Sequence, residues 1–452
     1  MPLPLKIATI DNMRKLLIIG FIVGILLMGL IIGLKIRSAN NSGHLILKAE
    51  PNDSQIIVQG KNKTFKARGV FNQKLAPGFY QVKVEKDGYY PYEFRYQIEK
   101  DQIIENDNIY LIKQKLLAEN LITAPIINFW PLENYFLYLE ETKPLSLKVY
   151  NRLTKEKETV FTINPLPHLI IPYWEDLQFL INLDNKTTIN NQKFNANTWL
   201  IFYLNKNNFG QYTNLTTKFN RLFDQLKNEK KIDKKASREI KWVNWSKQNN
   251  HSVYLITTDA LYHLDLWENE LSLIAQKIKS LPAIEKNSVF FLDENGLLTK
   301  YDWLTKKINT LTTQALSSDN KDIFVLTKTQ DNVFIYQING PIFSYHEGAL
   351  MKLNNNIKGL TVHQSEIFLV FSEDQLIIYP SKKELKANNI KNALFFRDLG
   401  HLILNEEDKL SLVDLNTEKL YPLTSGVKQF YYDSGLNYLY FLDSEGLKRL
   451  NL

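Results

Sequence analysis

Beyond residue 110 the sequence repeats one unit, in which short apolar strands alternate with polar turns. Three copies show it most clearly: Asp398–Thr424, Ser434–Leu452 and Val243–Leu266. Equivalent hairpin ends, most of them roughly 34 to 43 residues apart, fall at Asn151, Leu204, Asp265, Asp302, Gln337, Pro380, Asp414 and Asn451. Four short strands in about forty residues are typical of a β-propeller blade. We therefore expect an all-β fold in which residues 110–452 form a seven- or eight-bladed β-propeller, with eight favoured. An irregular β-solenoid or a pair of sandwiches is the alternative.

The two ends of the repeat region complement each other. The last copy stops at Leu452, directly after its inner hairpin, so it lacks an outer strand. Residues 112–123 precede the first inner strand at Ile126–Trp130 and resemble the outer strand of other copies. We expect this segment to complete the last repeat, because the added strand would cover an otherwise exposed sheet edge.

Near the N-terminus lies the uncharged run Leu16–Leu34, which spans roughly 28 Å as a helix, close to the thickness of a hydrocarbon core. Basic residues flank it, and the sequence around Ser38 is a poor cleavage site for a signal peptidase. The pattern predicts a cytoplasmic tail at 1–15 and a single-pass transmembrane helix at 16–36. Because long domains cross a membrane largely regardless of their charge, we expect everything after the helix to be extracytoplasmic.

Residues 43–104 have the pattern of a small β-module. Tyr80, Val82 and Val84 alternate with polar residues, and tight turns are predicted at Pro77-Gly78 and Asp87-Gly88. Together with Pro51 and Gly60, the segments Leu75–Tyr80 and Lys86–Tyr89 resemble the PEGA domain family, although Pro51–Ser54 replaces the quartet that names it. The resemblance implies a small β-sandwich near a membrane or cell envelope and no catalysis. We interpret the module as a spacer, with a ligand-binding role as the alternative.

One insertion interrupts the repeats at 215–239. Phe219, Leu222, Phe223 and Leu226 have helical spacing, which predicts an amphipathic helix in the first half. The second half is strongly basic. A solvated helix on the side of the repeat domain is one interpretation, and contact with an acidic partner or an anionic envelope polymer is the other.

The sequence contains no recognisable catalytic, cofactor-binding or metal-binding motif. It has no Cys, which excludes disulfides, thiolate metal sites and thiol nucleophiles, and this absence favours a bacterial origin. Seven scattered His show no metal-ligand spacing, and His346-Glu347 does not continue into a zinc motif. We interpret the acidic runs, such as Asp293–Gly296 and Asp443–Gly446, as hairpin turns.

These features predict a membrane-anchored extracytoplasmic binding or scaffold protein of the bacterial cell envelope. The membrane would be engaged through Leu16–Leu34, and an envelope protein or glycan is the expected partner. The net charge of +7 is dispersed, so nucleic acid is not expected to bind. The alternative is an envelope enzyme, a hydrolase or lyase with its site in the propeller channel.

Overall fold

The protein was examined as a computed structural model. The structure describes residues 25–28, 42–173, 178–204, 211–249, 251–258, 260–316, 324–329, 331–363, 367–397 and 400–452. Residues 25–28 are helical, and the rest of the predicted membrane segment Leu16–Leu34 lies outside the described residues. Within these ranges, no helix has the length and apolar character needed to cross a membrane.

Two compact units make up the chain. The first comprises the described residues of 1–116 with 414–419 and Leu452, and the second comprises those of 117–413 and 420–451. The first unit contains a seven-stranded sheet of order β6-β5-β2-β3-β4-β1-β7. Its strands are β1 Gly43–Glu50, β2 Gln55–Gln59, β3 Thr64–Arg68, β4 Val70–Leu75, β5 Gly78–Glu85, β6 Tyr92–Ile98 and β7 Ile103–Tyr110.

The module's strands alternate as the sequence predicts. Tyr80, Val82 and Val84 of β5 are buried, whereas Gln81 between them is exposed. The buried residues form one apolar core with those of the other strands. Gly60 is fixed by this core, because a Cβ there would lie only 2.7 Å from the Tyr80 ring. The predicted sandwich is replaced by a single sheet, since β3 and β4, which the sequence pattern misses, connect β2 to β1 in one ladder. The third missed strand, β7, adds to the edge of this ladder beside β1.

The second unit contains the repeats as separate sheets. Their strands, in chain order, are β8 Ala118–Thr123; β9 Ile126–Leu132, β10 Tyr135–Glu140, β11 Leu145–Asn151, β12 Lys157–Asn164; β13 Leu169–Tyr173, β14 Gln178–Leu183, β15 Thr187–Ile189, β16 Gln192–Phe194, β17 Thr198–Tyr203, β18 Gln211–Asn214; β19 Ile240–Trp245, β20 Ser252–Thr257, β21 Ala260–Asp265, β22 Glu270–Gln276; β23 Ser280–Leu281, β24 Ala283–Ile284, β25 Ser288–Leu292, β26 Leu298–Asp302, β27 Lys307–Thr310; β28 Phe324–Lys328, β29 Val333–Tyr336, β30 Gly340–His346, β31 Ala349–Ile357; β32 Gly359–Val362, β33 Phe368–Phe371, β34 Gln375–Tyr379, β35 Lys383–Lys386; β36 Ile390–Phe395, β37 His401–Glu406, β38 Lys409–Asp414, β39 Lys419–Thr424; β40 Gln429–Asp433, β41 Tyr438–Leu442 and β42 Gly446–Asn451.

Hydrogen bonding groups these strands, as far as the chain is described, into eight sheets of four to six strands. Their orders are β16-β15-β12-β11-β10-β9, β13-β14-β17-β18, β19-β20-β21-β22, β24-β25-β26-β27, β23-β28-β29-β30-β31, β32-β33-β34-β35, β36-β37-β38-β39 and β40-β41-β42-β8. The only longer helix among the described residues, α1, spans Leu215–Asn228.

Apolar cores lie between consecutive sheets of the second unit. The sheet of β9–β12 shares a core with that of β13 and β14, and the sheet of β19–β22 shares one with that of β24–β27. The central strands are therefore buried on both sides, as in β20, where all six residues are buried. The expected completion of the last repeat is confirmed in its strand part, since β8 pairs antiparallel with β42.

The predicted architecture is nevertheless wrong. The all-β class holds, but the seven- or eight-bladed β-propeller is not found, because the described strands form separate small sheets, none of which is closed. The N-terminal transmembrane helix is not found among the described residues either. The physical reason is that a forty-residue period determines how many strands each repeat contains. It does not determine how the sheets are arranged around one another, because the backbone hydrogen bonds join strands within a sheet and do not fix the position of one sheet relative to the next.

Candidate binding surface

The insertion at 215–239 is a basic segment of the second unit, with eight Lys or Arg and four Asp or Glu. Its helix α1 begins at Asn214, whose side-chain Oδ1 accepts a hydrogen bond from the Thr217 N–H at 2.9 Å. This arrangement satisfies one of the free N–H groups at a helix start. The helix then buries Leu215, Phe219, Leu222 and Phe223 against the sheets of β14 and β17 and of β19–β22.

The segment after α1 is anchored by one buried side chain and by backbone hydrogen bonds. Ile232 is buried in the same core as Phe219 and Phe223. The Lys231 N–H donates to the Leu226 carbonyl at 3.0 Å, and the Ala236 N–H donates to the Asp233 carbonyl at 3.1 Å. We call residues 229–236 the basic loop. It has a defined backbone and a buried anchor, which distinguishes it from a solvated charged tail.

Five of the eight cations in 215–239 are already engaged. On α1, the Lys218 ammonium donates to the Leu266 carbonyl at 2.5 Å, and Arg221 donates to Asn269 Oδ1 at 2.8 Å. Burial lowers the pKa of Lys218, and the charge of Arg221 contributes to the shift. The remaining three engaged cations bind within the insertion, with Lys227 on the Ala236 carbonyl, Lys231 on Glu229 and Arg238 on Asp224.

Three lysines of the basic loop remain. Lys230, Lys234 and Lys235 are exposed and have no ion-pair partner within the described part of the chain. The acidic groups beside them are engaged elsewhere. Asp233 Oδ1 accepts from the Lys235 backbone N–H at 2.8 Å, and Glu239 pairs with Lys241 at 2.5 Å. The loop therefore presents three ammonium groups that form no ion pair on a defined backbone, and its net charge is positive despite the Asp233 carboxylate.

The acidic runs at hairpins are turns, as the sequence predicts. Asp293 Oδ1 accepts from the backbone N–H groups of Asn295 and Leu297, each at 2.9 Å. Asp443 Oδ1 accepts from those of Glu445 and Gly446. Within the described ranges, no three His, Asp or Glu side chains are grouped so that they could hold a metal ion. The His346 ring lies 3.2 Å from the Asp331 carbonyl and 3.8 Å from the Glu347 carboxylate.

A different histidine lies in a buried site that the sequence does not single out. His263, on β21, is buried beside Tyr254 and Trp303, with ring centroids 5.1 and 4.4 Å away. Its Nε2 has no hydrogen-bond partner within the described structure. Burial lowers its pKa to about 4, against an opposing contribution from Asp265. A neutral imidazole in an aromatic setting is a packing residue, and its spacing in the sequence carries no signal of burial.

Comparison with known proteins gives a partial match. Residues 42–108 match the model of the PEGA domain family, which confirms the PEGA-like module predicted at 43–104. No curated protein matches the chain. Among solved structures, the chain resembles the computationally designed Ika8 protein, with 12% identity over 73% of this chain and 96% of that one and a TM-score of 0.45. It also resembles Sqt1 of Saccharomyces cerevisiae, with 9% identity, 74% and 97% coverage and a TM-score of 0.44.

Proposed function

We propose that this protein is a non-enzymatic binding or scaffold protein of the bacterial cell envelope, attached to the membrane through Leu16–Leu34. In this proposal the PEGA domain, which follows the membrane segment in the sequence, acts as a spacer, and the second unit presents the binding surface. The membrane attachment and the extracytoplasmic location are supported by the composition of Leu16–Leu34 and by the length of the chain that follows it.

The observation that carries the proposal is the basic loop. A surface charge usually contributes little when a neighbouring charge neutralises it. Lys230, Lys234 and Lys235 form no ion pair within the described residues, and Ile232 keeps the backbone between them in place. Such a fixed basic cluster favours a polymer with closely spaced anionic groups, because several ammonium groups can be neutralised at once. The expected partner is thus an anionic envelope glycan or an acidic envelope protein.

The experiment compares two charge-matched variants of the full chain in detergent. The first is Lys230→Gln/Lys234→Gln/Lys235→Gln. The control is Lys193→Gln/Lys306→Gln/Lys307→Gln, which removes three exposed lysines from other parts of the second unit. Each is incubated with immobilised polygalacturonate, a carboxylate polymer, and with long-chain polyphosphate, at low and high salt. Envelope extract is tested in parallel.

We expect the basic-loop variant to bind the anionic polymers about ten-fold more weakly at low salt, since each surface ion pair contributes up to about 1 kcal/mol. The control variant should bind as the wild type does. Equal loss in both variants would mean that net charge alone attracts the polymers and would overturn the proposal. Binding that persists at high salt only with an envelope protein would replace the glycan with that protein as partner.

The enzyme alternative stays a prediction from the sequence. Hydrolysis of the captured polymer by the wild-type protein would bring it forward.

A further inference from the structure

The outward face of the PEGA domain carries a row of polar side chains across three neighbouring strands. In the ladder, Gln59 of β2 lies opposite Gln81 of β5, and Gln81 lies opposite Arg95 of β6. Adjacent strands are about 4.8 Å apart, so the three side chains form a line across the sheet. Phe79 and Glu93 lie on the same face, Phe79 two residues before Gln81 on β5 and Glu93 two residues before Arg95 on β6. We call these five residues the Phe79 platform.

Phe79 is unusual for its exposure. Its side chain is on the solvent side of β5 and is 54% exposed, although neighbouring positions on that face are polar. The Arg95 guanidinium carbon lies 4.1 Å from the centre of its ring, and this cation–π contact restricts the orientation of the ring. An exposed aromatic ring that is held in position by a neighbour loses little conformational freedom when a ligand packs on it.

The polar groups around the ring are available. The side-chain amides of Gln59 and Gln81 and the carboxylate of Glu93 make no hydrogen bond to any described part of the chain. Together with Phe79 and Arg95 they line a groove of about 590 Å³, which Lys419 from the segment 414–419 of the same unit also lines. Each amide offers two donors and one acceptor, which suits a ligand with many hydroxyl groups.

We infer that the Phe79 platform is a binding site for a neutral sugar chain. A pyranose ring presents C–H groups on its faces, which pack on an aromatic ring, and hydroxyl groups around its edge, which match amide, carboxylate and guanidinium groups. Glu93 opposes Arg95, so Lys419 leaves the lining of the groove with a single net positive charge, fewer than the three ammonium groups of the basic loop. The lining side chains project from the face of the sheet, whereas an added peptide strand would pair with the backbone along the outer edge of β6 and leave this face open.

This inference extends the proposed function, because it gives the PEGA domain a ligand of its own and does not depend on the basic loop. The test uses the full chain in detergent and two neutral probes, the β-1,4-linked hexamers of N-acetylglucosamine and of glucose. Binding is measured by isothermal titration calorimetry for the wild type, Phe79→Ala, Gln81→Ala and Phe79→Trp. The matched control is Val70→Ala, which removes an exposed apolar side chain from β4 of the same sheet.

We expect the wild type to bind one or both hexamers, and Phe79→Ala to weaken binding at least ten-fold. Gln81→Ala should weaken it several-fold, and Phe79→Trp and Val70→Ala should retain it. High salt should leave the affinity unchanged, and so should the three substitutions in the basic loop. That pattern distinguishes sugar binding at the Phe79 platform from anionic-polymer binding at the basic loop, because high salt and the lysine substitutions should both weaken polymer binding.

Two results would overturn the inference. One is the absence of binding to both hexamers by a wild-type protein that is folded by circular dichroism. The other is an equal loss in Val70→Ala and Phe79→Ala, which would mean that the sheet as a whole is perturbed. Thermal unfolding of each variant distinguishes a lost contact from a lost fold, because Phe79 is exposed and its removal should leave the unfolding temperature nearly unchanged.

Discussion

The PEGA domain and the second unit use β-strands in opposite ways. In the PEGA domain, β5 buries Tyr80, Val82 and Val84 on one side and turns Gln81 to solvent on the other. In the second unit, all six residues of β20 and all five of β25 are buried. The first pattern is typical of a sheet with one solvent-exposed face, and the second is typical of sheets that are covered on both faces.

This difference in burial determines which side chains of each region are available to contact a ligand. A half-buried sheet exposes a regular grid of side chains, and the Phe79 platform lies on such a grid. A sheet covered on both faces exposes only its turns, its edges and its insertions. In the second unit, the candidate surface is accordingly an insertion, α1 with the basic loop, and the strands that support it contribute packing alone.

The largest expected effect tests this contrast with one substitution made in both regions. Phe334, on β29, is fully buried and packs on Phe368 with ring centroids 4.5 Å apart. We expect Phe334→Ala to lower the free energy of unfolding by about 3–5 kcal/mol, because it leaves a cavity that the neighbours cannot fill. Phe79→Ala should lower it by about 0.5 kcal/mol or less.

Hydrogen exchange measured by mass spectrometry assigns each loss to its region. Peptides from β28–β34 should exchange faster in Phe334→Ala, whereas those from β1–β7 should exchange as in the wild type. Equal destabilisation by the two substitutions would mean that the PEGA sheet is covered on both faces, which would remove the basis of the contrast.

The same contrast explains which parts of the fold the sequence could predict. Alternation of apolar and polar residues identified β5 and its inward residues correctly, since a half-buried strand carries its orientation in its pattern. The strands β3 and β4 were missed because their residues, Thr64–Arg68 and Val70–Leu75, are largely exposed. In the second unit, the period predicted the strands of each repeat and the addition of β8 to β42. It could not predict how the sheets are arranged, and the propeller prediction was wrong.

The candidate surfaces were only partly predictable. The sequence indicated a helix followed by a basic segment at 215–239, and α1 has the expected buried face. It could not show that Lys218 and Arg221 are engaged while Lys230, Lys234 and Lys235 are not, because those contacts are with residues about fifty positions away or depend on the local backbone. The Phe79 platform was missed for a related reason. Its residues come from three strands, and the alternation pattern places Phe79 on the polar face without indicating any partner.

Burial in a sheet that is covered on both faces also makes the stability of the second unit depend on pH, through the buried imidazole of His263. Its pKa is about 4 in the folded protein and about 6.5 when exposed. Above pH 6.5 the imidazole is neutral in both states. As the pH falls from about 6.5 to about 4, the His263 imidazole becomes protonated in the unfolded chain but stays neutral in the folded chain. The free energy of unfolding therefore decreases across this window. The expected loss is about 3 kcal/mol.

The measurement compares the wild type with His263→Phe, which keeps a ring beside Trp303. Unfolding is followed by near-ultraviolet circular dichroism at several pH values between 4 and 7.5. Carboxylates titrate in the same window, so the informative quantity is the difference between the two proteins. The wild type should lose about 3 kcal/mol more than the variant on acidification. Parallel stability curves would show that the imidazole is accessible to protons in the folded state.

The second unit also contains a charged contact between its first and last sheets. Arg152 Nη1 lies 2.8 Å from Asp433 Oδ2, and Nη2 donates to the Glu133 carbonyl at 2.7 Å. The two side chains are only 14% and 13% exposed. The guanidinium also lies over the rings of Phe136 and Tyr440. A second, more exposed pair, Glu119 with Arg449, joins β8 to β42. Arg449 lowers the pKa of Glu119 through a hydrogen bond.

The smallest expected effects come from breaking these two pairs. Arg152→Met should lower the free energy of unfolding by about 2 kcal/mol, because Asp433 loses its ion-pair partner in a largely buried site. Glu119→Gln should change it by less than about 1 kcal/mol, since water and salt screen an exposed pair. Denaturant titrations at low and high salt measure both effects. If Arg152→Met were as mild as Glu119→Gln, or lost its effect at high salt, water would reach the contact between the first and last sheets. The second unit would then be solvated between its first and last sheets, and its difference from the one-side-exposed PEGA sheet would not hold at that position.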